Sequence, residues 1–383
     1  MRRKHSGRWV GGLGCAFAVM LSSGCEEVQE MESAPTVSQS PQETGQFQPD
    51  PYWPQPLPED WILGQVSGLA VDDRDHVWIV HRPGTVQPVN AGAAQDPPVA
   101  MCCTPAPPVI EFDPAGNVVN AWGGESAEYD WPESMHGIHI DHQGNVWLGG
   151  NGPDDHQILK FTQDGSFLMQ IGARGQNQGS HDTENVGGPS TMRVDPETNE
   201  LYVADGYQNR RVVVFDAETG EYRRHWGAFG EEPDDTDPGP YDPAAGPSRT
   251  FQTPVHGLVI ADDGLLYVSD RPNNRIQVFE KDGTFVDETH LRPETLGPGS
   301  PWYFGLSTDP DQVHLYVADG TNNVIWTLDR ETLEPVDYWG RGGRQPGQFD
   351  WLHNLGVDSQ GNLYTAEVQT GHRVQKFEYV GGN

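Results

Sequence analysis

The chain has 383 residues and is strongly acidic, with 56 Asp and Glu against 23 Lys and Arg and a formal net charge of -33. Nucleic-acid binding needs clustered cations, so this balance argues against it, whereas an exported soluble protein or one with hard-cation sites accommodates it. Frequent glycine (46) and proline (32), with 10% aromatics, favour many short strands joined by turns over long helices.

Residues 1–25 read as an export signal. Arg2, Arg3 and Lys4 precede a short apolar stretch, Val10–Met20, too short to anchor as a spanning helix. Leu21-Ser-Ser-Gly-Cys25 then resembles a bacterial lipobox, with Cys25 as the lipidated residue and Leu21 one place further out than usual. Plain cleavage and secretion is the alternative. The favoured expectation is a lipoprotein of the cell envelope, in the outer membrane or periplasm, meeting the membrane only through its lipid anchor. Residues 26–50, rich in Glu, Gln, Ser and Pro, form the expected flexible tether. Residues 51–383 form the expected folded domain, a monomer.

Within that domain one unit recurs: a short apolar strand ending in Asp, a turn, a strand such as Leu-Tyr-Val, a polar loop, and a third strand. Its six copies begin at Ser67, His136, Ser190, His256, Phe304 and His353. The clearest pair His256-Gly-Leu-Val-Ile260 with Leu266-Tyr-Val-Ser-Asp270, and Thr191-Met-Arg-Val-Asp195 with Leu201-Tyr-Val-Ala-Asp205. Insertions fall at residues 83–108, where Cys102 and Cys103 are adjacent, and at the acidic, Pro-rich stretch 231–248. The cysteine pair is read either as a vicinal bridge or as two loop thiols; it builds no disulfide framework. An outer fourth strand ends in Trp122-Gly123, Ile171-Gly172, Trp226-Gly227 or Trp339-Gly340. The last copy lacks one, and Trp61–Gly64 is the expected N-terminal strand that closes the ring. Four-stranded sheets that cannot bury both faces alone can do so when packed radially, so the expected fold is an all-β, six-bladed β-propeller.

Phase is the most informative signal. His136, His256 and His353 occupy one slot in copies two, four and six; the other copies carry Ser67, Ser190 and Phe304. Alternate blades stand about 120° apart, so three such side chains would surround the axis. With only 14 histidines in the chain, chance filling of alternate slots is rare, and three imidazoles with an open position match a catalytic zinc site. A lone histidine at a strand start is more often a packing residue, and His139, His142, His156 and His181, which lack this phase, are read that way. After the second strands come His81-Arg82-Pro83, Asp205-Gly-Tyr207 and Asp270-Arg271. Guanidinium groups clamp carboxylates, and a phenol beside a cation is a usable base. Taken singly, each of these residues is better read as structural, the arginines as surface pairing and the tyrosine as turn packing.

Taken together, residues 58–380 resemble the NHL-repeat propellers, and in particular the peptidyl-α-hydroxyglycine α-amidating lyases. The carrying segments are Gly64-Gln-Val-Ser-Gly68, Val80-His-Arg82, His136-Gly137, Ala204-Asp-Gly-Tyr207, Val255-His256, Asp270-Arg271 and Leu352-His353. The resemblance implies zinc on His136, His256 and His353, a catalytic tyrosine at Tyr207, and catalytic arginines at Arg82 and Arg271. It also implies a structural calcium on the main-chain oxygens of Val66 and Ile138 and the side chain of Asn354. Asn354 stands where the family has Asp, which lowers the expected calcium affinity. Trp351 replaces a Met, and the family's cysteines near the tyrosine and second arginine are missing.

The implied activity is a zinc-dependent carbon–nitrogen lyase that splits a peptide or small molecule with a hydroxyglycine-like end into an amide and glyoxylate. The hydroxylase that would supply such a substrate is not in this chain. A non-catalytic propeller binding a protein or envelope partner is the alternative. A calcium lactonase fits three phased histidines poorly.

Overall fold

The computed structural model describes residues 47–381, so the expected signal, Cys25 and most of the expected tether lie outside the described residues. Six four-stranded antiparallel sheets follow one another in chain order. Their innermost strands are Gln65–Val71, Met135–Ile140, Pro189–Val194, Val255–Ile260, Tyr303–Leu306 and Leu352–Val357. Each contacts the next, and the last contacts the first, so the ring is closed. The expected six-bladed β-propeller is the observed fold.

The recurring Asp at the end of the first strand has a definite local task. Asp141 accepts the backbone N–H groups of Gln143 and Asn145 at 2.9 and 2.8 Å and the indole N–H of Trp147 at 2.8 Å. Asp72 does the same for Arg74, His76 and Trp78, and Asp358 for Gln360, Asn362 and the Tyr364 hydroxyl. Each carboxylate thus folds the turn and fastens it to a buried aromatic, which is the Asx-turn chemistry of short polar side chains. Packing between blades is supplied by alternate apolar positions such as Trp78, Val80, Ile138 and Leu148, all buried in one cluster.

The inner strands approach closely. A Cβ on Gly68 would stand 2.6 Å from the carbonyl oxygen of His136 in the next blade, and one on Gly137 would stand 2.7 Å from that of Ser190. Glycine at these places lets the backbones meet near the axis.

Closure differs from the expectation. The fourth strand of the last blade is Phe47–Asp50, paired antiparallel with Arg373–Tyr379 from Phe47 opposite Tyr379 to Asp50 opposite Lys376. Trp61–Ile62 instead makes a two-residue parallel pair with Thr104–Pro105. Phe47 explains the choice: its ring stacks on Trp339 at 5.4 Å and meets Tyr316 edge-on at 5.6 Å. Trp61 and Leu63 pack against an apolar cluster shared by the first and last blades, without pairing as a strand of the last. The propeller therefore begins four residues inside the stretch expected as tether. Cys102 and Cys103 are joined in a vicinal disulfide in the first insertion, which decides between the two readings of that pair.

Candidate metal centre and active site

His136, His256 and His353 each sit second in an inner strand and are buried. Their ring centroids are 4.8–5.0 Å apart, and one ligand nitrogen from each lies within 4.8 Å of the others. His136 Nδ1–H donates to the carbonyl oxygen of Ser190 at 2.9 Å, and His256 Nδ1–H donates to that of Trp302 at 2.7 Å. Each acceptor belongs to the following blade, so the ring geometry fixes the tautomer and leaves Nε2 as a lone-pair donor. Among the described residues His353 Nδ1 has no partner within hydrogen-bonding geometry.

Burial is the main cause that lowers all three imidazole pKa values. For His136, burial followed by the charge of Arg82 brings the value to about 3. Burial with Arg271 holds His256, and burial with His136 and Arg271 holds His353, well below the ordinary value. Three neutral imidazoles converging from alternate blades are a donor set that fits zinc.

The loops after the second strands are held by a second recurring Asp. In blade three, Asp205 accepts from Arg211 Nε at 2.9 Å and from Asn209 Nδ2 at 2.8 Å. In blade four, Asp270 accepts from Arg275 at 2.6 Å and from Asn273 at 2.7 Å. These latches bracket Tyr207 and Arg271 and set their positions. Tyr207 Oη lies 2.9 Å from His136 Nε2 and 3.3 Å from His256 Nε2. The Arg271 guanidinium stacks on the Trp302 ring, 4.2 Å from its centroid, and its Nε–H has no acceptor. Arg82 donates to the Met135 carbonyl at 2.8 Å, to Gln65 Oε1 at 2.9 Å and to Asn151 Oδ1 at 3.0 Å.

The decisive electrostatic feature is what these two arginines lack. Both are largely buried, yet among the described residues neither is ion-paired to a carboxylate; their contacts are neutral oxygens and an aromatic face. Burial lowers both guanidinium pKa values, opposed in each by the nearby Tyr207 phenol and, for Arg82, also by the charge of Asp155. A buried cation without an ion pair is costly, and a bound anion would relieve that cost, at Arg271 above all.

The structure thus gathers His136, His256, His353, Tyr207, Arg82 and Arg271 at one place. Val66, Ile138 and Asn354 are buried on the inner strands of three successive blades, one, two and six. Among the described residues Asn354 Oδ1 has no donor, and an orphaned buried carbonyl oxygen is a fitting ligand for a hard cation. Being neutral, it supports weaker binding than a carboxylate would.

His81, beside Arg82, is a packing residue. It accepts from Gly64 N at 3.1 Å and donates to Pro107 O at 3.0 Å, and burial lowers its pKa to about 4. His139 is likewise structural, accepting from Val194 N at 3.0 Å. Sequence reasoning missed Asn151 and Trp302. Asn151 could have been found, because it follows its second strand at the same place as Arg271 does in blade four. Trp302 carried no signal, since it acts through a backbone oxygen and a tertiary stack.

The NHL repeat family model matches residues 255–279, which span three strands of blade four. Peptidyl-glycine alpha-amidating monooxygenase A of Xenopus laevis is 30% identical over 271 residues, 67% of this chain and 25% of that protein. The chain thus spans about a quarter of the length of the Xenopus relatives. Peptidyl-alpha-hydroxyglycine alpha-amidating lyase 2 of Drosophila melanogaster is 26% identical over 350 residues, 86% of this chain and 74% of that protein. Among solved structures, a streptogramin B lyase superposes with a TM-score of 0.50 at 12% identity, covering 88% of this chain and 98% of its own, a likeness of fold. The chain is a six-bladed β-propeller of NHL repeats, similar in sequence to the peptidyl-α-hydroxyglycine α-amidating lyases.

Proposed function

We propose that this protein is a carbon–nitrogen lyase that converts a carbinolamide with a carboxylate end, of the peptidyl-α-hydroxyglycine type, into an amide and glyoxylate. The observation that carries the reading is the pair of guanidinium groups, Arg271 buried and Arg82 largely so, that no carboxylate ion-pairs among the described residues, beside a three-histidine centre and a phenol. Arg271, with its free Nε–H, and Arg82 receive the substrate carboxylate. The Tyr207 oxygen accepts the proton of the substrate hydroxyl. The electron pair of that O–H bond closes the aldehyde C=O as the C–N bond breaks, and the departing nitrogen takes the proton back. Atoms balance without an oxidant. Zinc held by His136, His256 and His353 would supply Lewis-acid polarisation of the substrate oxygens. The blade latches at Asp205 and Asp270 hold the phenol and guanidinium in place before substrate arrives.

Calcium on Asn354 Oδ1 and the main-chain oxygens of Val66 and Ile138 is part of the same reading, as a structural ion joining the inner strands. So is export, with lipidation at Cys25, on the sequence grounds given above. The test is incubation of the purified, zinc-loaded protein with a peptide ending in α-hydroxyglycine, measuring amide and glyoxylate together. Equimolar release supports the reading; zinc bound at the triad without either product refutes it and leaves a propeller that only binds.

A further inference from the structure

We propose a second transition-metal site at the rim of blade three, made by His181, His225 and Glu232, distinct from the axial centre. These residues come from three separate segments. His181 lies in the loop entering blade three, His225 in its outermost strand, Tyr222–Trp226, and Glu232 in the acidic insertion that follows. One oxygen, Glu232 Oε2, stands 3.8 Å from both His181 Nδ1 and His225 Nε2. The two imidazole centroids are 5.6 Å apart, and the three ligand atoms lie within 4.8 Å of one another. Ligand atoms on one tetrahedral zinc are separated by roughly 3.4 Å, given bonds of about 2.1 Å. A shift of a few tenths of an ångström brings the Glu232 oxygen to that distance from each imidazole, and rotation of the exposed His181 and Glu232 side chains closes the rest.

Three further features favour an ion over a loose charge pair. Tyr222 Oη lies 2.9 Å from His225 Nδ1. As acceptor for that N–H it leaves the Nε2 lone pair facing Glu232, the outer-shell arrangement common to metal-bound histidines. The segments are already joined next to the ligands: Ser180 N–H donates to Asp235 at 2.9 Å, one residue before His181 and three after Glu232. The guanidinium behind His225, that of Arg211, is countered by Asp205 at 2.9 Å. Two imidazoles and a carboxylate suit zinc or a similar divalent transition ion better than calcium. The ion would clamp the insertion to the blade edge, away from the axis.

The test is titration of the metal-stripped full-length protein with zinc alone, followed by calorimetry, with cobalt(II) as an optical probe. The wild type should take up two equivalents. His181→Ala, a change at an exposed position, should take up one and release glyoxylate at the wild-type rate from a hydroxyglycine-ended peptide. His256→Ala should also take up one, but retain the rim site. Tyr222→Phe should weaken the rim site about tenfold. Zinc should slow proteolysis within residues 231–248 in the wild type but not in His181→Ala. A wild type whose single equivalent is lost in His256→Ala, or a His181→Ala protein that still binds two, overturns the proposal. Neither result bears on the lyase reading, which stands or falls on product release.

Discussion

Two pairs of buried arginines in this propeller differ in one respect. Arg211 and Arg275 are buried and sit against Asp205 and Asp270 at 2.9 and 2.6 Å. Arg271 is buried and Arg82 half-buried, and they face a phenol, neutral oxygens and an indole ring, with Asp155 acting on Arg82 without an ion pair. The same side chain is therefore a fastener in one pair and a charge without an ion pair in the other. A fold has no use for the second arrangement, because a desolvated cation without a partner opposes folding. Its presence in both blades one and four, on either side of the histidine centre, separates what holds the loops from what is reserved for an anion.

The largest expected effect is at the fasteners. Arg275→Met leaves Asp270 buried without its partner and should cost about 3–5 kcal/mol of stability, read from denaturant unfolding. Arg271→Met should do the opposite in kind: stability unchanged or raised, and kcat/KM for a hydroxyglycine-ended peptide lowered about 10²–10³-fold. If both variants lost stability equally, with activity following the folded fraction, the distinction between the two pairs would be lost.

How much of this was legible in sequence follows the same division. The triad could be read because one slot is filled three times in phase, so that His136, His256 and His353 vouch for one another. Tyr207 and Arg271 could be located because each follows the repeated Asp that ends a second strand. That Arg82 and Arg271 lack carboxylate partners could not be read, because pairing is settled by tertiary neighbours in other blades. The closing strand was missed for a local reason. Phe47–Asp50 is four residues with one apolar anchor, set in a Gln- and Pro-rich stretch, whereas Trp61–Gly64 has the better strand composition. The partner surface at Trp339 and Tyr316 decided the pairing. The rim group was invisible because His181, His225 and Glu232 share no repeat phase.

Blade five supplies a third state, a latch carboxylate with no arginine ion pair among the described residues. Asp319 is buried and accepts from Asn322 Nδ2 at 2.8 Å and Trp326 Nε1 at 3.1 Å, while Val324 takes the register position that arginine holds in blades three and four. Burial raises its pKa to about 6, against 3.8 for a free carboxyl. The folded state therefore holds this proton more tightly than the unfolded chain does. Its contribution to stability is full below pH ~4 and is lost as pH rises through about 6, an effect on the order of 2–3 kcal/mol. The stability difference between wild type and Asp319→Asn should shrink or reverse between pH 4 and 7, since the variant has no proton to lose. A difference constant over that range would show that the indole and amide donors hold the ionised form as well as a guanidinium does.

The smallest effect tests the geometry of a charge that lacks an ion pair. Arg82→Lys keeps a cation but cannot span Met135 O, Gln65 and Asn151 with one planar fork. The expected result is a loss of about tenfold in kcat/KM with stability little changed. A lysine that performed as well as arginine would mean that only charge is needed at blade one. The carboxylate would then be oriented by Arg271 alone, and the functional pair would reduce to a single residue backed by a diffuse field.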